Sequence, residues 1–232
     1  MKIRIYDTVL QKTSEWLELR RGKTSGSKIK PILTGRTKKP WETYSYELIG
    51  QLENEEPLIY KDTFLSAAVE WGNAMEPLAQ AEFTKRTGKV IFEVGWVESL
   101  DPKLVGRSGA SPDGLIRGSE LTEWVEIKCL NTANHIKYIT ENVLPAEYKP
   151  QVLNYFMINE DLKVVYFILY DPRVKDKNKQ LHIIPILRED HAKEIDILYD
   201  KVIEFHDLKD ALHAQYKDVK TLTNKQLAKL VG

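Results

Sequence analysis

The strongest constraint on the fold is one short run, Lys-Val-Val-Tyr-Phe-Ile-Leu-Tyr at residues 163–170. A strand with one wet face alternates apolar and polar side chains, whereas a nearly unbroken run of β-formers needs cover on both faces. The run therefore reads as a buried strand, with residues 181–187 as its neighbour. Helical patterns supply the cover. Ser14 caps a short helix carrying Trp16, Leu17 and Leu19, and a second helix runs from near Trp41 to Glu53. A longer one starts near Phe64 and stops at Gly88, with Leu65, Ala68, Trp71, Met75, Leu78, Ala79 and Phe83 forming its apolar stripe. Further helices are expected over 132–142, 146–158 and from 189 to about 216. Residues 90–97, 105–116 and 124–129 are extended, with a turn at Asp101-Pro102. Helices, three strands, helix and then strands make an α/β fold: a mixed sheet flanked by helices. No internal repeat or linker interrupts the 232 residues, so a single domain is expected, its C-terminal segment (189–232) helical.

Charge and cysteine content narrow the function. One cysteine, Cys129, excludes a disulfide framework and a four-cysteine zinc or iron–sulfur site within one chain. No apolar stretch approaches the roughly 20 residues that span a bilayer. Residues 1–10, with Lys2, Arg4 and Asp7, do not read as a secretory signal, so a soluble cytoplasmic protein is expected. The 34 basic and 34 acidic residues cancel, but their distribution is uneven. Lys28, Lys30, Arg36, Lys38 and Lys39 crowd a segment free of acids, and Trp41, Tyr44 and Tyr46 follow. Two readings stand: cations and rings that grip a DNA end, or a solvated loop followed by core aromatics.

Two short elements carry chemistry. Ser111-Pro112-Asp113-Gly114 lies in the second extended segment, and Glu126-Ile127-Lys128 in the third. Side chains alternate along a strand, so Glu126 and Lys128 share a face. If the two segments pair as a hairpin, Asp113 lies opposite them, and two carboxylates and an ammonium converge. Mg²⁺ favours hard oxygen ligands, commonly one or two carboxylates with waters and phosphate oxygens. It lowers the pKa of a bound water and stabilises charge on phosphate, while an adjacent lysine orients the water. Taken singly, Pro-Asp-Gly is an ordinary turn and Glu-Ile-Lys ordinary strand alternation. Together and in this order they match the PD-(D/E)xK nuclease pattern.

A third carboxylate is expected from the preceding helix. Glu70 neighbours Ser66, Asn73 and Ala74, and Glu82 pairs with Lys85 and Arg86, so both face solvent. Glu76, near Gly72, Ala79 and Phe83, borders the apolar face and is the candidate. Pro77 interrupts the hydrogen bonding beside it.

From about Ser14 to Asp190 the chain resembles the lambda-exonuclease group of YqaJ-type viral recombinases. The landmarks are Trp16-Leu-Glu-Leu-Arg20-Arg-Gly22, Ser25-Gly-Ser27, Trp71-Gly72 with Glu76, and Arg107-Ser-Gly-Ala-Ser111-Pro-Asp113-Gly-Leu115. Glu126-Ile-Lys128-Cys129, Gln151 with Tyr155, and Tyr170-Asp-Pro-Arg173 complete them. The resemblance implies a restriction-endonuclease-like core and a 5′→3′ exonuclease that degrades one strand of duplex DNA in phage or prophage recombination. It implies that Asp113, Glu126 and the Ile127 carbonyl bind Mg²⁺ (or Mn²⁺), with Glu76 assisting and Lys128 positioning water. Gln151, with Tyr155 one turn on, matches a helix motif of RecB-like nucleases. Arg20, Ser27 and Ser111 match positions that hold a terminal 5′-phosphate, a role suited to a guanidinium and hydroxyls. A ring-shaped homotrimer and a single-strand annealing protein as partner are also implied. The chain departs from the group at Pro77, at residues 34–39 and beyond about Asp190.

Two other functions fit parts of this pattern: an endonuclease of the same fold, and a non-catalytic DNA-binding scaffold. His135, His182, His191, His206 and His213 form no ligand pattern, although His206 and His213 share a helix face. Cys129 points to the face opposite Lys128 and reads as packing. Residues 171–179 read as a solvated hairpin loop, with contact to DNA as the alternative.

Overall fold

The computed structural model describes residues 2–35, 38–56 and 67–221 of the chain. The N-terminal part forms β1 (Ile3–Tyr6), α1 (Ser14–Arg20), β2 (Thr24–Ser25), a 3-10 turn (Gly26–Lys28), α2 (Lys30–Thr34), α3 (Lys38–Glu53) and α4 (Ala67–Thr87). The cap of α1 is Thr13 rather than Ser14: the Thr13 hydroxyl accepts from the Trp16 amide at 3.3 Å. The start expected for the long helix, at Phe64 and Leu65, lies outside the described residues.

The strands continue as β3 (Ile91–Phe92), β4 (Trp96–Ser99), β5 (Ser108–Ala110), β6 (Gly114–Ile116) and β7 (Glu123–Lys128). Helices α5 (Thr132–Glu141) and α6 (Lys149–Ile158), strands β8 (Val164–Tyr170) and β9 (Leu181–Leu187), and helix α7 (Ala192–Lys217) follow. They form two sheets rather than the one expected: β1-β4-β5-β2 and β3-β6-β7-β8-β9. Each contains one parallel pair, β2 with β5 and β7 with β8; the other pairs are antiparallel.

Two extended segments split because their backbones change sheets. Residues 90–97 break between Phe92 and Trp96, where Gly95 runs so close to Val9 that a Cβ would stand 2.2 Å from the Val9 carbonyl oxygen. Residues 105–116 break at Ser111-Pro112-Asp113. Pro112 has no N–H to continue a ladder, and the chain leaves the first sheet there to join the second. Only β6 then pairs with β7, with Gly114 opposite Val125.

Strand β8 has β7 on one side and β9 on the other, and six of its seven residues are buried. The larger core packs one face of the second sheet, with Trp124, Val165 and Phe167, against α6 and α7. Eight of the ten α6 residues are buried. Helix α7 contributes Ile195, Leu198, Val202 and Phe205 at helical spacing. A smaller core on the other face sets Ala79 and Phe83 of α4 against Val125, Ile127 and Ile168. Only this C-terminal half of the expected α4 stripe is buried; Ala68 and Leu78 are exposed and Trp71 is half-buried. The N-terminal half of α4 instead borders a cleft.

The basic segment resolves into both of its readings. Lys28, Lys30, Lys38 and Lys39 are exposed, and Arg36 lies outside the described residues. Tyr44 stacks on Phe205 with ring centroids 5.3 Å apart, and Trp41 meets the same ring edge-on at 6.2 Å. Those two rings belong to packing and are not available for bases; Tyr46 remains exposed.

Candidate active site

Parallel strands β7 and β8 end side by side, with Lys128 opposite Leu169. A cleft of about 750 Å³ opens there, its walls including Glu76, Asp113, Lys128, Trp71, Asn131 and Arg173. Crevices beyond the carboxyl ends of parallel strands are where α/β folds place ligand chemistry.

The segment that changes sheets carries Asp113 to the cleft floor. Its amide donates to the Val125 carbonyl at 3.1 Å, and its Oδ2 accepts from the Ile127 amide at 2.6 Å. Glu126 is buried, with its carboxylate divided between two partners. Oε1 meets Lys128 Nζ at 2.6 Å, and Oε2 accepts from the Tyr155 hydroxyl. Gln151, one turn before Tyr155, donates to that hydroxyl at 2.7 Å. Asp113, Glu126, Lys128 and Gln151 thus belong to one connected region.

Electrostatics bind Glu76 to the same group. Burial pushes the Asp113 carboxyl well above its ordinary range, and the negative charges of Glu126 and Glu76 push it further. Burial likewise raises Glu76; Glu93 and Glu126 add to this, while Lys12 and Lys128 oppose it. For Lys128, burial works against the ammonium, but Glu126 and Asp113 outweigh it and the pKa rises. Lys128 is therefore held as a cation in this arrangement. Helix α4 stays continuous through Pro77.

Among the described residues, no three His, Cys, Asp or Glu side chains stand at ligand spacing around one point. The donor set nevertheless suits a hard cation: Mg²⁺ commonly uses only one or two protein carboxylates, and Asp113 and Glu76 are two carboxyls that burial first, and neighbouring acids second, push upward.

A second constellation lies on the first-sheet side. Trp16 Nε1 donates to the Gly95 carbonyl at 2.8 Å and stands 2.9 Å from Ser111 Oγ. Arg20 stacks over the Trp16 ring at 4.1 Å and points Nη1 at Ser111 Oγ, 3.4 Å away. Its Nη2 reaches Ser25 Oγ at 3.1 Å, so the structure brings Arg20 and Ser111 together with Ser25. Ser27 stands apart on the 3-10 turn, where it is exposed.

Tyr155, the partner of Gln151 in the helix motif, is thus the residue that links that motif to Glu126. Ser25 and Arg173 carry no local signal in the sequence that would assign them a role. The histidines do not converge. His206 is buried against Ser108 (2.9 Å), whereas His213 meets Glu53, His135 the Lys179 carbonyl, His182 Asn142, and His191 Glu194. Cys129 packs on the smaller core, and burial pushes its thiol up to about 12.

Two solved structures resemble this fold. LHK-Exo in complex with dAMP is 30% identical, with a TM-score of 0.74 over 94% of this chain and 100% of that one. A structure of LHK-Exo described as an alkaline exonuclease from Laribacter hongkongensis is 28% identical, with the same TM-score and coverage. The fold is accordingly restriction-endonuclease-like. No curated protein matches the chain. The family model for the YqaJ-like viral recombinase domain matches residues 15–160, which include every acid of the cleft floor, and the chain belongs to that family.

Proposed function

We propose that this chain is a metal-dependent exonuclease that degrades one strand of duplex DNA, 5′→3′, from a 5′-phosphorylated end. The observation that carries the reading is the group at the cleft floor: Asp113 on the Ile127 amide, and Glu126 held at 2.6 Å by the Lys128 ammonium. Structural similarity to an alkaline exonuclease, and to one captured with dAMP, supports DNA as substrate and a phosphorylated nucleotide as occupant.

Asp113, Glu126 and the Ile127 carbonyl would hold Mg²⁺ or Mn²⁺, with Glu76 facing them. The ion, when bound, supplies a water of lowered pKa and offsets charge building on the phosphoryl oxygens. Lys128, kept cationic by the acids, orients that water and favours the anionic transition state. Tyr155, steadied by Gln151, fixes the direction of the Glu126 carboxylate. Arg20 and Ser111 receive the terminal 5′-phosphate. Ser25 supports Arg20, and Ser27 meets the phosphate from the exposed turn. The setting is phage or prophage end resection in the host cytoplasm, as a ring-shaped trimer working with a single-strand annealing protein. No described helix is long and apolar enough to cross a membrane.

Linear duplex labelled at either 5′ end, with and without Mg²⁺, tests the reading. Metal-dependent release of 5′-label as mononucleotide is expected, with covalently closed circles left intact. Cutting of the circles would make the protein an endonuclease. Binding without cleavage under any divalent metal would make it a scaffold. Asp113→Ala and Glu126→Ala should abolish cleavage and keep DNA binding.

A further inference from the structure

Arg173 lines the cleft beside Trp71 and Asn131. Arg173 follows the end of β8, and its guanidinium lies 4.0 Å above the Trp71 ring of α4. Asp171, fully buried, fixes it by accepting from Nε at 2.8 Å and from Nη2 at 3.1 Å. Asp171 is itself anchored by the Thr132 hydroxyl at 2.5 Å, and Arg173 Nη2 also donates to the Leu130 carbonyl at 3.0 Å. The guanidinium is thus held by Trp71, Asp171 and Leu130 while its side chain keeps 46% of its surface exposed. Among the described residues Nη1 makes no hydrogen bond, which leaves a donor on a side chain that lines the cleft.

The topology orders the two cations. Asp113 sits where the chain passes from the first sheet to the second. Arg20 meets Ser111 on the first-sheet side of that crossing, and Arg173 stands beyond β8 on the second-sheet side. On that order of elements, a strand whose 5′-phosphate meets Arg20 and whose first linkage lies over Asp113 and Glu126 would have Arg173 as the next cation along the sheet.

We propose that Arg173, backed by Trp71, binds the phosphate of the second linkage, the one that follows the scissile linkage on the degraded strand. This rests on the nuclease reading of the cleft. The contact holds the remainder of the degraded strand in register, so each cut falls one nucleotide from the end. A preformed, stacked guanidinium loses little freedom on binding phosphate, which suits it to this task.

Duplexes with a 5′-phosphate and a neutral methylphosphonate at the second linkage test the contact by binding in EDTA, apart from any cleavage. The wild-type protein should lose about tenfold in affinity on neutralisation, the scale of one charge-assisted hydrogen bond. Arg173→Gln should lose a similar factor on unmodified DNA and then be insensitive to the methylphosphonate. Losses that multiply would overturn the assignment. If Arg173→Gln does not fold, moving the methylphosphonate through the first four linkages with wild-type protein decides the matter. A maximum at the second linkage is expected, and a flat profile would end the idea. Cleavage of unmodified duplex with Mg²⁺ in parallel tests the nuclease reading separately.

Discussion

Replacing Tyr155 with Phe removes one oxygen atom from the interior and leaves the ring's packing intact. Tyr155 is 1% exposed, its ring 5.6 Å from that of Trp124, and its hydroxyl donates to the buried Glu126 carboxylate. A hydrogen bond to a charged partner contributes about 1.5–3 kcal/mol net. Gln151 loses its acceptor as well, but it is half-buried and water can replace the bond, which adds little. The ring leaves no cavity, so no packing loss enters. The expected loss of stability is therefore about 1.5–3 kcal/mol, or a fall in Tm of roughly 3–12 °C for a chain of this size. Urea unfolding in EDTA, which removes any contribution from metal, should show a lower midpoint with an unchanged slope. Activity should fall mainly in kcat, because Glu126 loses its fixed direction while the end-binding residues are untouched. A stability loss below about 0.5 kcal/mol would mean that the hydroxyl is not a working partner of the carboxylate.

In metal-free protein, Asp113→Asn should stabilise the fold at neutral pH by about 0.5–2 kcal/mol while abolishing cleavage. The folded pKa of Asp113 is raised, so its favourable contribution is full at low pH and lost as pH rises through the folded value. The advantage of the variant should therefore grow with pH in urea titrations, and a constant gap would contradict the burial argument. Burial, aided by Lys209 and Arg107, lowers His206 to about 3, so the stability it gives as a neutral ring is full above about 6.5 and lost as pH falls toward 3. His206→Gln should flatten that acid slope, by up to about 5 kcal/mol across the window; an unchanged slope in the same titrations would place the acid sensitivity elsewhere. Gly109→Ala would put a Cβ 2.2 Å from the Trp96 ring and 2.7 Å from the Val97 oxygen, costing about 1–3 kcal/mol or more in denaturant unfolding. Gly50→Ala in α3 meets nothing within 4 Å and should stabilise by about 0.5–1 kcal/mol, so equal outcomes for the two glycines would refute the steric argument.

What the sequence revealed follows how local each signal was. Strand β8 was legible because burial on both faces leaves a run with no polar relief, and α7 because its stripe repeats at helical period. The sheet changes near Gly95 and Pro112 were not legible. Each is a short interruption in a β-rich segment, and nothing local says that its two halves hydrogen-bond to different partners. The α4 stripe misled in its N-terminal half for a related reason: Trp71 has the spacing of a core residue but covers Arg173, a contact between distant parts of the chain. At the site, Asp113, Glu126 and Lys128 were readable because strand alternation and one short turn bring them together. Ser25 was not legible beside Ser27 as a partner of Arg20, since two serines separated by a glycine look alike until Arg20 is seen to reach Ser25.

The cleft floor also shows why such a site cannot be assembled for stability alone. Asp113, Glu126 and Glu76 face one largely buried ammonium, Lys128, with Lys12 only at the exposed edge. Buried charges of one sign are expensive unless something of the other sign joins them. The fold can offset the excess by protonating Asp113, whose carboxyl is pushed upward by burial first and by the charges of Glu126 and Glu76 second. A divalent cation offsets it by replacing the proton and leaves the carboxylates free to act as ligands. The charge imbalance that weakens the metal-free fold is therefore the same quantity that would favour cation binding. The hydrogen bonds from the Ile127 amide, Tyr155 and Lys128 keep the acids in place while they repel one another.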